Sequence, residues 1–337
     1  ARSILWSPWQ TVGMASDARL QAIIKARGIA AITPAEGVAW MRRELAMRDS
    51  PLICFVGDPA KAGAPVPATG SAAWENRVTI GRECHYRSRK FDTKFRFLGD
   101  HVIKGAPVLP GAMVFDLTAQ CAPADAATLK WEKVIFNHIM RCHDGGLTIG
   151  MRWQVMKGGA RFDGCDAERP AEPGFGGVIR WNEAECLSLK APAARNMRRL
   201  PDERLYGPGG LLFSGPLFQV ISGVEIGRGI ISAGLAQTDK SIYDARTAAA
   251  RAPMTWIDGL FQMAAIFCME HGFGLYLPAG AECLQCRPSG ELNGATATAW
   301  CDAPVVGGAQ IHFNALILNG NEVILAVQRF AMNRIGD

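Results

Sequence analysis

One of the chain's six histidines, His101, stands in a setting that suits proton chemistry. The stretch Asp100-His101-Val-Ile-Lys-Gly105-Ala-Pro-Val-Leu-Pro110-Gly111 spaces histidine, glycine and proline as His-x3-Gly-x4-Pro. An imidazole titrates near neutrality, so His101 can serve as a base. Pro110 suits the first turn of a helix, where no backbone N–H is needed, and Gly111 allows a ligand to approach the backbone closely. Residues 112–120 are apolar enough for a buried helix. The spacing thus predicts a base beside a helix N-terminus, whose N–H groups favour developing negative charge.

A second run, residues 253–268, is apolar and of helical length, and its polar groups of interest are Asp258 and Gln262. At i and i+4 these share one helix face. A carboxyl set among Trp256, Ile257, Leu260 and Phe261 is desolvated, which raises its pKa and keeps it protonated near neutral pH. A base on one element and an uncharged acid on another suffice for removing a proton and protonating a leaving group. His85, His138, His143, His271 and His312 have no comparable context and read as structural or surface groups.

The elements that must position these groups follow from periodicity. Residues 130–136 and 147–156 alternate as strands do, and after the second apolar run so do 295–300, 309–318 and 323–332. One apolar helix followed by alternating strands, occurring twice, suits a helix wrapped by an antiparallel sheet in each half. Glycine-rich 158–177 reads as a loop, and Gly/Pro-rich 57–70 as a linker.

From about Trp74 to Ile335 the chain resembles the dehydratase domains of polyketide and polyunsaturated fatty acid synthases. Those domains carry the histidine motif in a first hot-dog half and Asp-x3-Gln (or His) in a second, here His101/Gly105/Pro110 and Asp258/Gln262. A Gly-Pro-x-Phe turn opening the second half appears as Ser214-Gly215-Pro216-Leu217-Phe218. The family often has Tyr or His where this chain has Ser214. The closing strand around residues 319–332 is also similar.

The resemblance implies an α+β double hot-dog fold and dehydration of 3-hydroxyacyl thioesters to trans-2-enoyl chains. His101 would remove the α-proton and Asp258 would protonate the departing hydroxyl. Gln262 would orient that oxygen, and the Gly111 N–H would polarise the thioester carbonyl. Gly105, Pro110, Ser214, Gly215 and Pro216 would shape the substrate site, with Met113, Phe115 and Phe261 lining an acyl tunnel. The substrate would ride on the phosphopantetheine of an acyl carrier protein, with no bound cofactor and no metal, in a homodimer. The same pair would serve a double-bond isomerase or a product-template-like cyclase, and a catalytically silent hot-dog scaffold for dimerisation is the reading from another class.

The first 58 residues resemble the tail of a ketoreductase. Ile4-Leu-Trp6 reads as a core strand, residues 17–28 as a helix capped by Asp17 and ended by Gly28, residues 33–48 as another opened by Thr33-Pro34, and 51–56 as a short buried strand. No glycine-rich nucleotide turn is present in them. The chain then divides into a reductase-like remnant (1–58), a linker (59–73), a first half (74–186), an inter-half linker (187–210) and a second half (211–337), as a piece of a multidomain synthase with the reductase upstream.

Composition narrows the class. With 337 residues, 49% hydrophobic and 20% charged, the chain can bury two or three cores. No uncharged apolar run reaches about 18 residues, and the start lacks the pattern of a signal peptide, so a cytoplasmic enzyme with no membrane role is expected. The net charge of +5 gives no case for nucleic acid. Arg195, Arg198, Arg199 and Arg204 cluster in the inter-half linker, where they are solvated or meet an acidic carrier protein. The ten cysteines lack framework spacing, and Cys283-Leu-Gln-Cys286 has no second pair with which to bind a metal.

Overall fold

Alternation in the strand segments and continuous apolarity in the two helical ones lead to a large antiparallel sheet and two buried helices. The computed structural model describes residues 76–80, 84–91, 95–103, 105–123, 125–142, 146–167, 169, 172–183, 187–236, 252–287, 294–301 and 308–335, with 3–5, 9, 11, 17–26, 33–35, 38 and 52–54 of the first 75. Within that leading stretch β1 (Ser3–Leu5) pairs in parallel with β2 (Leu52–Cys54). Between them lies α1 (Ala18–Ala26), whose first turn is capped by Asp17 Oδ1, the acceptor for the N–H groups of Arg19 at 2.9 Å and Leu20 at 3.1 Å. Gly28, most of the helix expected from 33, and the 57–70 linker lie outside the described residues.

The remaining elements follow in the order β3 (Asn76–Ile80), β4 (Cys84–Phe91), α2 (Arg96–Gly99), β5 (Val102–Ile103), β6 (Ala106–Pro107), α3 (Met113–Ala119), β7 (Leu129–Phe136), β8 (Leu147–Met156), β9 (Gly159–Asp166) and β10 (Pro173–Trp181). Then come β11 (Arg198–Arg199), β12 (Ile221–Ile226), β13 (Ile230–Leu235), α4 (Met254–Glu270), β14 (Tyr276–Cys286), β15 (Ala295–Trp300), β16 (Gln310–Asn319) and β17 (Glu322–Arg334). Thirteen strands form one antiparallel sheet in the order β11-β12-β13-β15-β16-β17-β14-β7-β10-β9-β8-β4-β3. Strands from before residue 187 fill one side and those after it the other, and they join where β14 pairs with β7, from Gly280↔Ile135 to Cys286↔Leu129.

All of α3 is buried, as are residues 254–268 of α4, which explains why neither helix shows a polar face. α4 packs on β12, β13, β14 and β15, while α3 meets β10 and α4. Two polar side chains tether the shorter helix. Thr118 accepts a hydrogen bond from the Trp131 indole on β7 at 2.7 Å, and Asp116 accepts one from the Ala252 N–H at 3.1 Å, just ahead of α4.

One expectation changes. The glycine-rich stretch 158–177 is not a loop: it forms β9 and most of β10, paired from Arg180↔Gly159 to Pro173↔Cys165. Its glycines seat aromatic rings, since a Cβ on Gly164 would lie 2.1 Å from Phe175 and one on Gly177 2.9 Å from Phe162. Within 187–210, the Arg198 and Arg204 guanidiniums each bind Glu270 at 2.7 Å. β11 pairs with β12, and Leu187 and Leu189 pack on the patch of Ile230, Trp300, Leu316 and Ala326.

Candidate active site

His101 follows α2 and opens a two-strand hairpin in which Val102 faces Pro107 and Ile103 faces Ala106. Gly105 takes φ +77°, a left-handed turn that suits glycine, and this folds Val108 back onto His101. The Val108 N–H donates to the His101 carbonyl at 3.0 Å, and the Val108 carbonyl lies 3.2 Å from His101 Nδ1. A carbonyl only accepts, so Nδ1 bears the hydrogen and Nε2 is left as the basic atom. The spacing from histidine to glycine is thus the length of a hairpin that sets the tautomer. Gly105 is exposed and lies away from the cavity, a role in the turn and not in substrate contact.

The Gly-Pro turn closes on the same loop. His101 and Ser214 form an isolated antiparallel bridge. The Gly215 N–H donates to the Asp100 carbonyl at 2.7 Å, and the Leu217 N–H to Asp100 Oδ2 at 2.9 Å. A Cβ on Gly215 would sit 2.7 Å from Asp100 Oδ1, so a side chain there is excluded. Pro216 begins the single helical turn Pro216–Phe218, and the rings of Phe213 and Phe218 stand edge-on to His101 at 5.4 and 5.5 Å. Gly215 and Pro216 shape this turn without lining the cavity, whereas Ser214 lines it.

From the other side α4 brings Asp258 and Gln262. Gln262 Nε2 donates to Asp258 Oδ2 at 2.7 Å and to the Phe218 carbonyl at 2.8 Å. The turn between residues 214 and 218 is therefore bonded to Asp100 on one side and to α4 on the other, and this brings the two motifs together. Gln262 Oε1 accepts from the hydroxyl of Tyr206 at 2.8 Å. Tyr206 and Asp100 are the site residues that sequence reasoning missed. Tyr206 sits in a Gly/Pro-rich segment without periodicity, which offers no signal, whereas the adjacency of Asp100 to His101 is visible in the sequence.

His101, Ser214, Asp258, Gln262, Pro110 and Gly111 line one cavity of about 390 Å³. Val114, Phe136, Phe261, Ala265 and Met332 give it an apolar wall. Of the three side chains expected along an acyl tunnel, only Phe261 is there; Met113 and Phe115 flank Val114 on the helix and point into the core. His138, read as structural or surface, is exposed and lines the cavity. α3 begins at Met113 and is seven residues long, so its dipole is small, and the group offered at its start is the Gly111 N–H, which meets no acceptor among the described residues.

Electrostatics favour an uncharged pair. His101 is 7% exposed and Asp258 5%. Burial lowers the His101 pKa and the charge of Asp258 only partly opposes it. Burial raises the Asp258 pKa, opposed by His101 and by the Gln262 hydrogen bond. Burial thus drives both groups that face the cavity toward their uncharged forms.

Cys283 and Cys286 lie on β14, three residues apart and so on opposite faces of the strand, and burial pushes the Cys283 thiol up to about 11. Among the described residues no group of three or more His, Cys, Asp or Glu side chains converges as metal ligands do.

No family model and no curated protein matches this sequence. Solved structures do. The dehydratase domain from the CurJ module of the curacin polyketide synthase superposes with a TM-score of 0.61 at 15% identity, covering 78% of this chain and 96% of that one. The dehydratase domain of PpsC from Mycobacterium tuberculosis gives 0.62 at 15%, covering 78% and 98%. The dehydratase domain of RzxB from Pseudomonas fluorescens gives 0.63 at 12%, again covering 78% and 98%. The chain thus has the fold of polyketide synthase dehydratase domains, a large antiparallel sheet with few helices.

Proposed function

We propose that the chain is a dehydratase that removes water from 3-hydroxyacyl thioesters on an acyl carrier protein within a polyketide or polyunsaturated fatty acid synthase. The observation that carries this reading is the convergence of His101 and Asp258 on one cavity, with burial driving one toward the neutral base and the other toward the neutral acid. His101 Nε2 takes the α-proton, and the electrons of that C–H bond form the double bond to the β-carbon. The C–O electrons leave with the hydroxyl, which takes its proton from Asp258 and departs as water. The Gly111 N–H receives charge developing on the thioester oxygen. A proton passed from His101 to Asp258 restores both groups.

In this reading the sheet is a double hot-dog, one half wrapping α3 and the other α4, and the parallel pair β1–β2 with α1 belongs to a reductase-like remnant. The substrate arrives on phosphopantetheine, the domain acts as a homodimer in the cytoplasm with a reductase as neighbour, and neither metal nor bound cofactor takes part.

The test is mass spectrometry of 3-hydroxyacyl pantetheine thioesters of both configurations, in short and long chains, incubated with the protein. Loss of one water with one configuration is expected. No loss from any substrate would overturn the reading in favour of a silent scaffold or a cyclase.

A further inference from the structure

One side chain from outside both motifs reaches the acid. The Tyr206 hydroxyl accepts the Ile221 N–H at 3.3 Å and donates to Gln262 Oε1 at 2.8 Å. Burial pushes its pKa upward, so the hydroxyl keeps its proton. Gln262 then has both N–H groups and its oxygen engaged, by Phe218, Asp258 and Tyr206. The reversed amide would set Oε1 against the Phe218 carbonyl, two acceptors facing each other, so a single orientation survives. That orientation presents an N–H to Asp258 Oδ2 and leaves Oδ1 for a proton.

The segment holding Tyr206 is itself clasped to α4. Arg198 and Arg204 bind the two oxygens of Glu270, and the Gly223 N–H donates to Asp202 Oδ1 at 2.8 Å. Gln262 and Glu270 are about two turns apart on one face of α4, so the segment grips that helix at two levels.

We propose that Tyr206 is a positioning residue for the acid, fixing the Gln262 amide so that Asp258 Oδ2 is filled by an N–H and Oδ1 holds the proton delivered to the leaving group. The kinetic part rests on the dehydratase reading; the orientation of the amide does not. The test compares wild type with Tyr206→Phe, Gln262→Leu and the double variant.

Infrared difference spectra identify the protonated carboxyl band of Asp258 by its loss in Asp258→Asn. The band is expected in wild type and shifts in Tyr206→Phe as it does in Gln262→Leu. In turnover, Tyr206→Phe lowers kcat about tenfold with KM held within about twofold. Adding it to Gln262→Leu changes kcat by less than about twofold, because it acts through that amide. A band absent from wild type, a band unmoved in Tyr206→Phe, or losses that multiply in the double variant would overturn the proposal. A wild type inactive on every substrate, with the band still moving in Tyr206→Phe, would uphold the positioning role and overturn the dehydratase reading instead.

Discussion

His101 and Asp258 depend on burial for opposite ends, and pH separates them. For turnover, kcat/KM is expected to rise as His101 loses its proton, with a midpoint below the usual imidazole value of about 6.5. It falls again as Asp258 ionises, with a midpoint above the usual carboxylate value of about 4. For stability the sign at Asp258 follows from its raised pKa: the unfolded chain releases this proton first, so folding loses stability as pH climbs from about 4 toward the folded pKa. Asp258→Asn removes that loss, and denaturant titrations should find the variant at least as stable as wild type at pH 7; a clearly less stable variant would refute the buried, protonated acid. These residues were legible because helical spacing joins Asp258 to Gln262 and hydrophobic neighbours announce burial. Tyr206 was not, because its contact spans 56 positions and no local pattern encodes it.

At the scale of elements, glycines decide how the site is assembled. Gly105 turns the hairpin that brings the Val108 carbonyl to His101, and Gly215 admits Asp100 against the Gly-Pro turn. Gly215→Ala places a methyl 2.7 Å from Asp100 Oδ1. The expected cost is about 2 kcal/mol in denaturant unfolding, together with a fall in kcat as the turn moves off Phe218 and Gln262; a variant with wild-type stability and rate would show that the stitch is dispensable. The sequence's alternating segments revealed β7, β8, β15, β16 and β17 to within two residues, and along β7 buried positions do alternate with less buried ones. β9 and β10 were hidden because their glycines lie under Phe175 and Phe162, so residues that usually mark turns here make room for rings.

Across the whole molecule the two halves share one sheet, and the seam between β7 and β14 is close-fitting. Gly280 takes φ +150°, and a Cβ there would lie 2.1 Å from the Val134 carbonyl. Two residues before its partner Ile135, Lys133 adopts φ +52°, a local twist in β7. Gly280→Ala is expected to lower Tm by about 5 °C in calorimetry and to reduce turnover, because His101 and Asp258 come from opposite sides of this seam. Unchanged Tm and rate would argue that the halves do not need this contact. Repetition of a helix followed by strands foretold two halves, but their joining edge was not legible: pairing partners are set by tertiary packing, and β7 and β14 are separated by more than 100 residues.

The most direct test of the central claim is the initial rate of water loss from a 3-hydroxyacyl thioester by wild type, His101→Ala, Asp258→Asn and the double variant, with each protein's Tm measured alongside. The account predicts loss in wild type alone, each single variant down by at least about a thousandfold, the double no worse than either, and Tm values close to wild type. Water loss persisting in either single variant would contradict the assignment of base and acid to these two residues.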